Sequence, residues 1–223
     1  MPAANVSQLR ALLSEKFPGL RMRLDEPRTQ YRFQPSGLPQ LDDPLRGGFP
    51  KSALSEVIVT GPNCGSSTLL YAFLQQAARA NEIITIIDGN DSLNVTQLGE
   101  NTLARLLWIR CHSVSEAIKA ADLVLRDNNL PLVLFDLKSN ADHQLRKVPS
   151  ATWYRFQRLT EETGTACIVF TPRRMIAPAK ARIVLRPQFS ISALDQDAGE
   201  LLRGLKIEIS GQRDHVEMEF PQI

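Results

Sequence analysis

Residues Glu56 to Ala78 read EVIVTGPNCGSSTLLYAFLQQAA, and this stretch decides the fold. Leu54–Thr60 is an apolar, β-branched run with the length of a buried strand, Gly61-Pro62 breaks it, and from Ser67 to Ala80 the apolar residues fall at helical spacing. A strand, a tight loop of small residues and a helix, in that order, can cradle phosphate, because loop N–H groups and the helix N-terminus face the anion. Laid from Gly61 on the pattern GxxxxGK[ST], the frame puts Gly65 inside the loop, Ser66 where the second Gly belongs, Ser67 where Lys belongs and Thr68 at the Mg²⁺-binding hydroxyl. Taken alone, the loop also fits an ordinary strand-to-helix turn.

Outward from this unit, strand and helix patterns alternate. Strands are expected at 83–88, 106–110, 131–136, 166–171 and 181–186, with helices at 115–126, capped by Ser113 or Ser115, and at 150–163. Near-continuous apolar strands separated by helices predict a mostly parallel sheet covered on both faces. The runs 205–210 and 216–220, split by Gly211-Gln212-Arg213-Asp214, predict a C-terminal antiparallel hairpin. At the other end, Leu9, Leu12, Leu13 and Phe17 stripe one face of a helix over 5–17, closed by Pro18-Gly19. The chain thus divides into an N-terminal helix and connector, 1–34, and a core, 35–223.

Composition excludes several classes. With 223 residues, 43% hydrophobic and 22% charged, the chain holds one ordinary core and is no disordered tail. Cys64, Cys111 and Cys167 lie far apart without a CxxC pair, which argues against a disulfide scaffold or a zinc module, and no metal site is expected. The N-terminus lacks the apolar centre of a secretion signal, and no run of eighteen apolar residues occurs, so a cytoplasmic protein without a membrane partner is expected. The balance of 26 basic and 24 acidic residues leaves any nucleic-acid argument to local patches.

Several weak motifs in order carry a resemblance. The segment Pro35–Pro62, PSGLPQLDDPLRGGFPKSALSEVIVTGP, resembles the RecA/KaiC-type lead into the phosphate loop. Ile83–Leu93, IITIIDGNDSL, is similar to the second RecA strand, and Leu130–Leu137, LPLVLFDL, looks like a Walker B strand ending in Asp136. The N-terminal helix followed by MRLDEPR resembles the RecA entry region, so the likeness spans most of 5–186. It implies a RecA-like, mostly parallel sheet sandwiched by helices, with a nucleotide site at Gly61, Gly65, Ser66, Ser67, Thr68 and Asp136.

The departures set the functional expectation. Where the family carries a Glu that activates water, this chain has Asn90, with Asp91 beside it. With the loop Lys also absent, the resemblance implies a degenerate ATPase site, no cofactor and no catalytic residue, as in the ImuA/SulA-like group of accessory proteins. The leading expectation is a non-catalytic adaptor in DNA repair or damage-induced mutagenesis (translesion synthesis), binding RecA or an error-prone polymerase subunit. The alternatives are a slow RecA/KaiC-type ATPase that borrows Lys51 or Lys138, and a SulA-like division inhibitor. Leu9, Leu12, Leu13 and Phe17 would dock a partner or a second copy, as RecA-type proteins do, unless that stripe folds back on its own core.

Between 146 and 186 nine basic residues face two acidic ones. In a RecA-like frame the loops 138–149 and 173–180 face the DNA axis, which nominates Arg146, Lys147, Arg173, Arg174, Lys180 and Arg182 for sequence-independent phosphate contact; a solvated basic face is the competing reading. His112, His143 and His215 have no nucleophile nearby in sequence. Trp108 reads as core, and Trp153 and Tyr154 as either helix packing or base stacking.

Overall fold

The computed structural model describes residues 33–96, 98–190 and 198–209. The N-terminal helix with Leu9, Leu12, Leu13 and Phe17, the boundary at residue 34 and the strand 216–220 concern, wholly or in part, residues outside these ranges.

In chain order the strands are β1 (Phe33–Gln34), β2 (Phe49–Pro50), β3 (Ala53–Val59), β4 (Ile84–Asp88), β5 (Leu106–Arg110), β6 (Leu132–Asp136), β7 (Ala166–Thr171), β8 (Ala181–Leu185) and β9 (Glu208–Ile209). The helices are α1 (Pro39–Asp42), α2 (Ser66–Ala80), α3 (Glu100–Leu103), α4 (Val114–Leu125), α5 (Asp142–Leu145), α6 (Ser150–Thr163) and α7 (Ala198–Gly204). A seven-stranded sheet runs β5-β4-β6-β7-β3-β8-β9, parallel throughout except for β9. The pair β1–β2 is a separate antiparallel ribbon. Within the expected strand 205–210, β9 lies antiparallel on β8, with Ile183 opposite Ile209, while the expected hairpin partner 216–220 lies outside the described residues.

Strand alternation divides the core in two. Val57, Ile84, Ile86, Leu134, Ile168 and Ile183 point to the face covered by α2, where Leu69, Leu70, Phe73 and Leu74 are buried. Leu54, Ile87, Val133, Phe135 and Val169 point to the face of α4 and α6, where Ala117, Ala121, Trp153 and Phe156 are buried. Trp153 is therefore a packing residue and cannot stack on bases, while Tyr154 beside it is exposed. Ser113 caps α4, accepting from the Glu116 N–H at 3.3 Å.

One connection departs from ordinary parallel crossovers. The nine residues 172–180 join β7 to β8 past β3 without a helix. Their N–H groups need partners, and the fully buried carboxylate of Glu56 on β3 supplies them. Its Oε1 accepts from Met175 N at 2.7 Å, Ile176 N at 3.1 Å and the Thr171 hydroxyl at 3.2 Å. Its Oε2 accepts from Arg182 Nε at 2.7 Å.

Candidate phosphate site

The loop that leaves β3 turns back through Asn63, at φ 54°, and Gly65, at φ 81°, which stands as N-cap of α2. Glycine is required at 65: a Cβ there would lie 2.3 Å from Leu205 Cδ1 and 2.8 Å from Phe189 Cε2. The loop is held from outside by the chain's own C-terminal part. Gln188 N and Phe189 N donate to the Asn63 carbonyl at 3.1 and 3.0 Å, and Gln188 Nε2 donates to the Cys64 carbonyl at 3.0 Å. Lys206 N closes the brace on Gln188 Oε1 at 2.6 Å.

Above the loop opens a pocket of about 680 Å³ at the carboxyl ends of the strands, the end where open α/β sheets bind ligands. Gly61, Gly65, Ser66, Ser67 and Thr68 all line it, together with Lys138 and Ser139 from the turn after β6. Ser66 is only 8% exposed. Ser67, at the position of the usual lysine, is exposed.

Asp136 ends β6 almost fully buried, with Asp88 opposite it on β4. Burial pushes its carboxyl up from the ordinary range, and the Lys138 ammonium works against that rise. Both oxygens are engaged by Lys138: Oδ1 accepts its backbone N–H at 3.1 Å and Oδ2 accepts its ammonium. Lys138 was one of two candidates for a borrowed lysine, and it lines the pocket. Lys51 does not, since it precedes β3 and the loop follows it, roughly 20 Å away along the strand.

The stretch after β4 is built around Asp88. Its carboxylate accepts from Ser92 N at 3.0 Å, Leu93 N at 2.8 Å and the Trp108 indole at 3.3 Å. Trp108 is accordingly half-buried, with the Arg110 guanidinium 4.9 Å over its ring. Gly89 sits where a Cβ would come within 2.5 Å of Asn140 Oδ1, so the turn admits no side chain there. Asn90 is exposed. Asp91 is gripped by Arg110 through Nε at 2.6 Å and Nη2 at 2.7 Å, and that hydrogen-bonded guanidinium holds its carboxyl below the usual range.

The proposed nucleic-acid residues do not form one patch. Arg182 is a correction: it is buried, pairs with Glu56 and donates Nη2 to the Ile176 carbonyl at 2.7 Å, so it cannot meet a phosphate backbone. Lys180 is exposed but ends the 172–180 connection near the amino end of β3, its N–H on the Leu54 carbonyl, about 13 Å along the strand from where that connection starts beside Arg173. Arg146 and Arg173 converge on Asp142 at 2.5 and 2.8 Å, which sequence counting from residue 146 onward left out. Arg155, Arg158 and Arg186 pair with Asp122, Glu162 and Glu208. Lys147 and Arg174 are exposed without an acidic partner among the described residues.

Among the described residues no group of three or more His, Cys, Asp or Glu side chains could hold a metal, and no helix is long and apolar enough to cross a membrane. No family model and no curated protein sequence matches the chain. Among solved structures it is similar to a crystal structure of the RadB recombinase, at 17% identity and a TM-score of 0.51, over 69% of this chain and 84% of that one. At that identity the likeness shows the fold, a RecA-like α/β sandwich. Such folds imply Mg²⁺ and a nucleoside triphosphate, and the donor set here fits that pair poorly. The loop cation is missing, and Lys138 engages both oxygens of the carboxylate that would face the metal.

Proposed function

We infer that the chain is a non-hydrolysing RecA-like protein that acts as an adaptor in DNA repair or damage-induced mutagenesis, engaging RecA or an error-prone polymerase subunit. The observation that carries the reading is the ion pair of Asp136 with Lys138, in which the lysine lines the pocket and Asp136 does not, beside a loop that presents Ser67 in place of lysine. Phosphoryl transfer needs a cation on the transferred group and a residue that orients or deprotonates the attacking water. A serine hydroxyl supplies no charge, and the Asn90 amide no base. The likeness to a recombinase supports the DNA setting by fold analogy alone. Sequence-independent DNA contact, where it occurs, falls to Lys147 and Arg174 with Arg146 and Arg173 beside them.

Two measurements test this. The purified protein incubated with ATP, Mg²⁺ and single-stranded DNA should give no phosphate release above background. A pull-down from DNA-damaged cells should retrieve RecA or a polymerase subunit, and truncation of residues 1–20 should abolish capture if the N-terminal stripe is the docking element. Retrieval of a tubulin-like division protein would select the SulA-like alternative. The position of Lys138 in the pocket favours the slow-ATPase alternative, which turnover abolished by Lys138→Gln would select.

A further inference from the structure

Two later legs of the chain cover the loop between β3 and α2. Residues 186–190 leave β8 toward it, and residues 198–209 carry α7 and return to β8 as β9. Gln188 joins both legs to the loop. Its backbone N–H and that of Phe189 go to the Asn63 carbonyl, and its Nε2 donates to the carbonyls of Cys64 and Lys206 at 3.0 Å each. Its Oε1 accepts from Lys206 N at 2.6 Å. Leu205, 3% exposed, and Phe189 fill the space against Gly65, and α7 packs on α2. Away from the loop the same legs are held more weakly. Among the described residues β9 meets β8 through two residue pairs. The ion pair Arg186–Glu208 is 62% and 58% exposed on its two sides and contributes little in water. A sheet-edge segment held by exposed contacts opens at a lower free energy than the sheet itself. What keeps the legs closed is therefore concentrated at the loop, and Gln188 makes most of the hydrogen bonds there.

We propose that Gln188 is the latch of an autoinhibitory clamp formed by these two legs. Closed, the clamp denies the loop movement and occupies its outer side with Leu205 and Phe189. It also supplies Phe189, Ser190 and Leu201 as one wall of the pocket. Open, it releases loop and wall together, so a partner reaches the loop only after the latch lets go. The clamp is a device of the fold and stands apart from the adaptor reading, which can fail without it.

Cys64 is a built-in reporter of opening. It is 2% exposed, sits in the latched loop and packs in the same core cluster as Leu205, whereas Cys167 lies in the central strand β7. Labelling of the whole native chain by a thiol reagent is read site by site by mass spectrometry. Cys64 should react slowly but ahead of Cys167, and with a weaker dependence on added urea, because local opening exposes less surface than unfolding. Gln188→Ala should speed Cys64 about 10- to 100-fold. Phe156→Leu, a change in the opposite half of the core that the clamp does not touch, should speed Cys167 and leave Cys64 unchanged. In wild-type hydrogen exchange the Phe189 and Lys206 amides should share one opening free energy, below that of the β6 amides. If Phe156→Leu speeds both thiols alike, Cys64 is reached only by global unfolding and the clamp does not exist. An unchanged Cys64 rate in Gln188→Ala overturns the latch. Different opening free energies for the Phe189 and Lys206 amides overturn the single clamp, and that measurement needs no variant to fold.

Discussion

Arg182 lies directly opposite Glu56 in the parallel β3–β8 ladder and donates its Nε to the buried carboxylate at 2.7 Å. The pair neutralises a charge in the sheet interior and at the same time anchors the nine-residue crossover, because Arg182 holds the Ile176 carbonyl while Glu56 holds the Met175 and Ile176 N–H groups. A positive residue that sequence counting assigns to a DNA-binding face is thereby spent on the fold.

Removing one partner strands the other in the core. Glu56→Gln or Arg182→Ala should cost about 3–5 kcal/mol, seen as a fall in Tm of roughly 6–20 °C for a domain of this size. Replacing both by Leu removes the unpaired charge but leaves the Met175 and Ile176 N–H groups without their acceptor, so it should still destabilise. A single-variant loss under about 1 kcal/mol in urea melts would show that the pair is not the anchor described.

Gly65 tests the brace over the loop between β3 and α2. Alanine at φ 81° carries a left-handed penalty of about 1 kcal/mol, and its Cβ also overlaps Leu205. Gly65→Ala should therefore destabilise by more than that penalty alone. In a double-mutant cycle, Leu205→Ala should relieve part of the excess. Strict additivity of the two changes would mean that Leu205 does not press on the loop.

The order of elements was legible in the sequence because each central strand is a short apolar run and each long helix carries a clear stripe. The strand at 166–171 and the helix at 150–163 lie where the periodicity places them. The turn between β3 and α2 was equally legible, since Gly61-Pro62 follows the strand and Gly65 stands at the start of the helix. What composition could not reveal was partnership across the sheet. Arg182 and Glu56 are 126 residues apart, and only the β3–β8 register joins them. Asp142 is an unremarked acid in sequence until α5 brings it against arginines from two loops. Lys138 could be named as a candidate cation, but its grip on Asp136 follows from the turn after β6.

The thiols report on packing. All three cysteines are buried, and burial pushes the Cys167 thiol up to about 12. Cys111 is raised as well, by burial first and then by the neighbouring charge of Glu116. Native protein should resist a thiol reagent at mildly alkaline pH, and urea should expose all three groups. A folded pKa above the unfolded value gives stability that is intact below about pH 8.5. That stability drains away as pH climbs toward 12. Rapid labelling of Cys167 in the folded state would contradict its burial.

Asp142 offers the sharpest test of whether the loops 138–149 and 173–180 meet DNA. Arg173 first and Arg146 second hold its carboxyl below the ordinary value of 3.8. A depressed folded pKa gives stability present above that value and lost as pH falls through it, and because the group lies at the surface the effect should be small and fade in salt. Its consequence for binding is larger. Asp142→Asn frees two guanidinium groups next to Lys147 and Arg174, so single-stranded DNA of any sequence should bind more tightly, with a steeper fall in affinity as salt rises. Charge reversal at Arg173 and Arg174 should flatten that slope. If fluorescence anisotropy shows no change in affinity or salt slope for either variant, these loops form a solvated face and the proposed DNA contact falls.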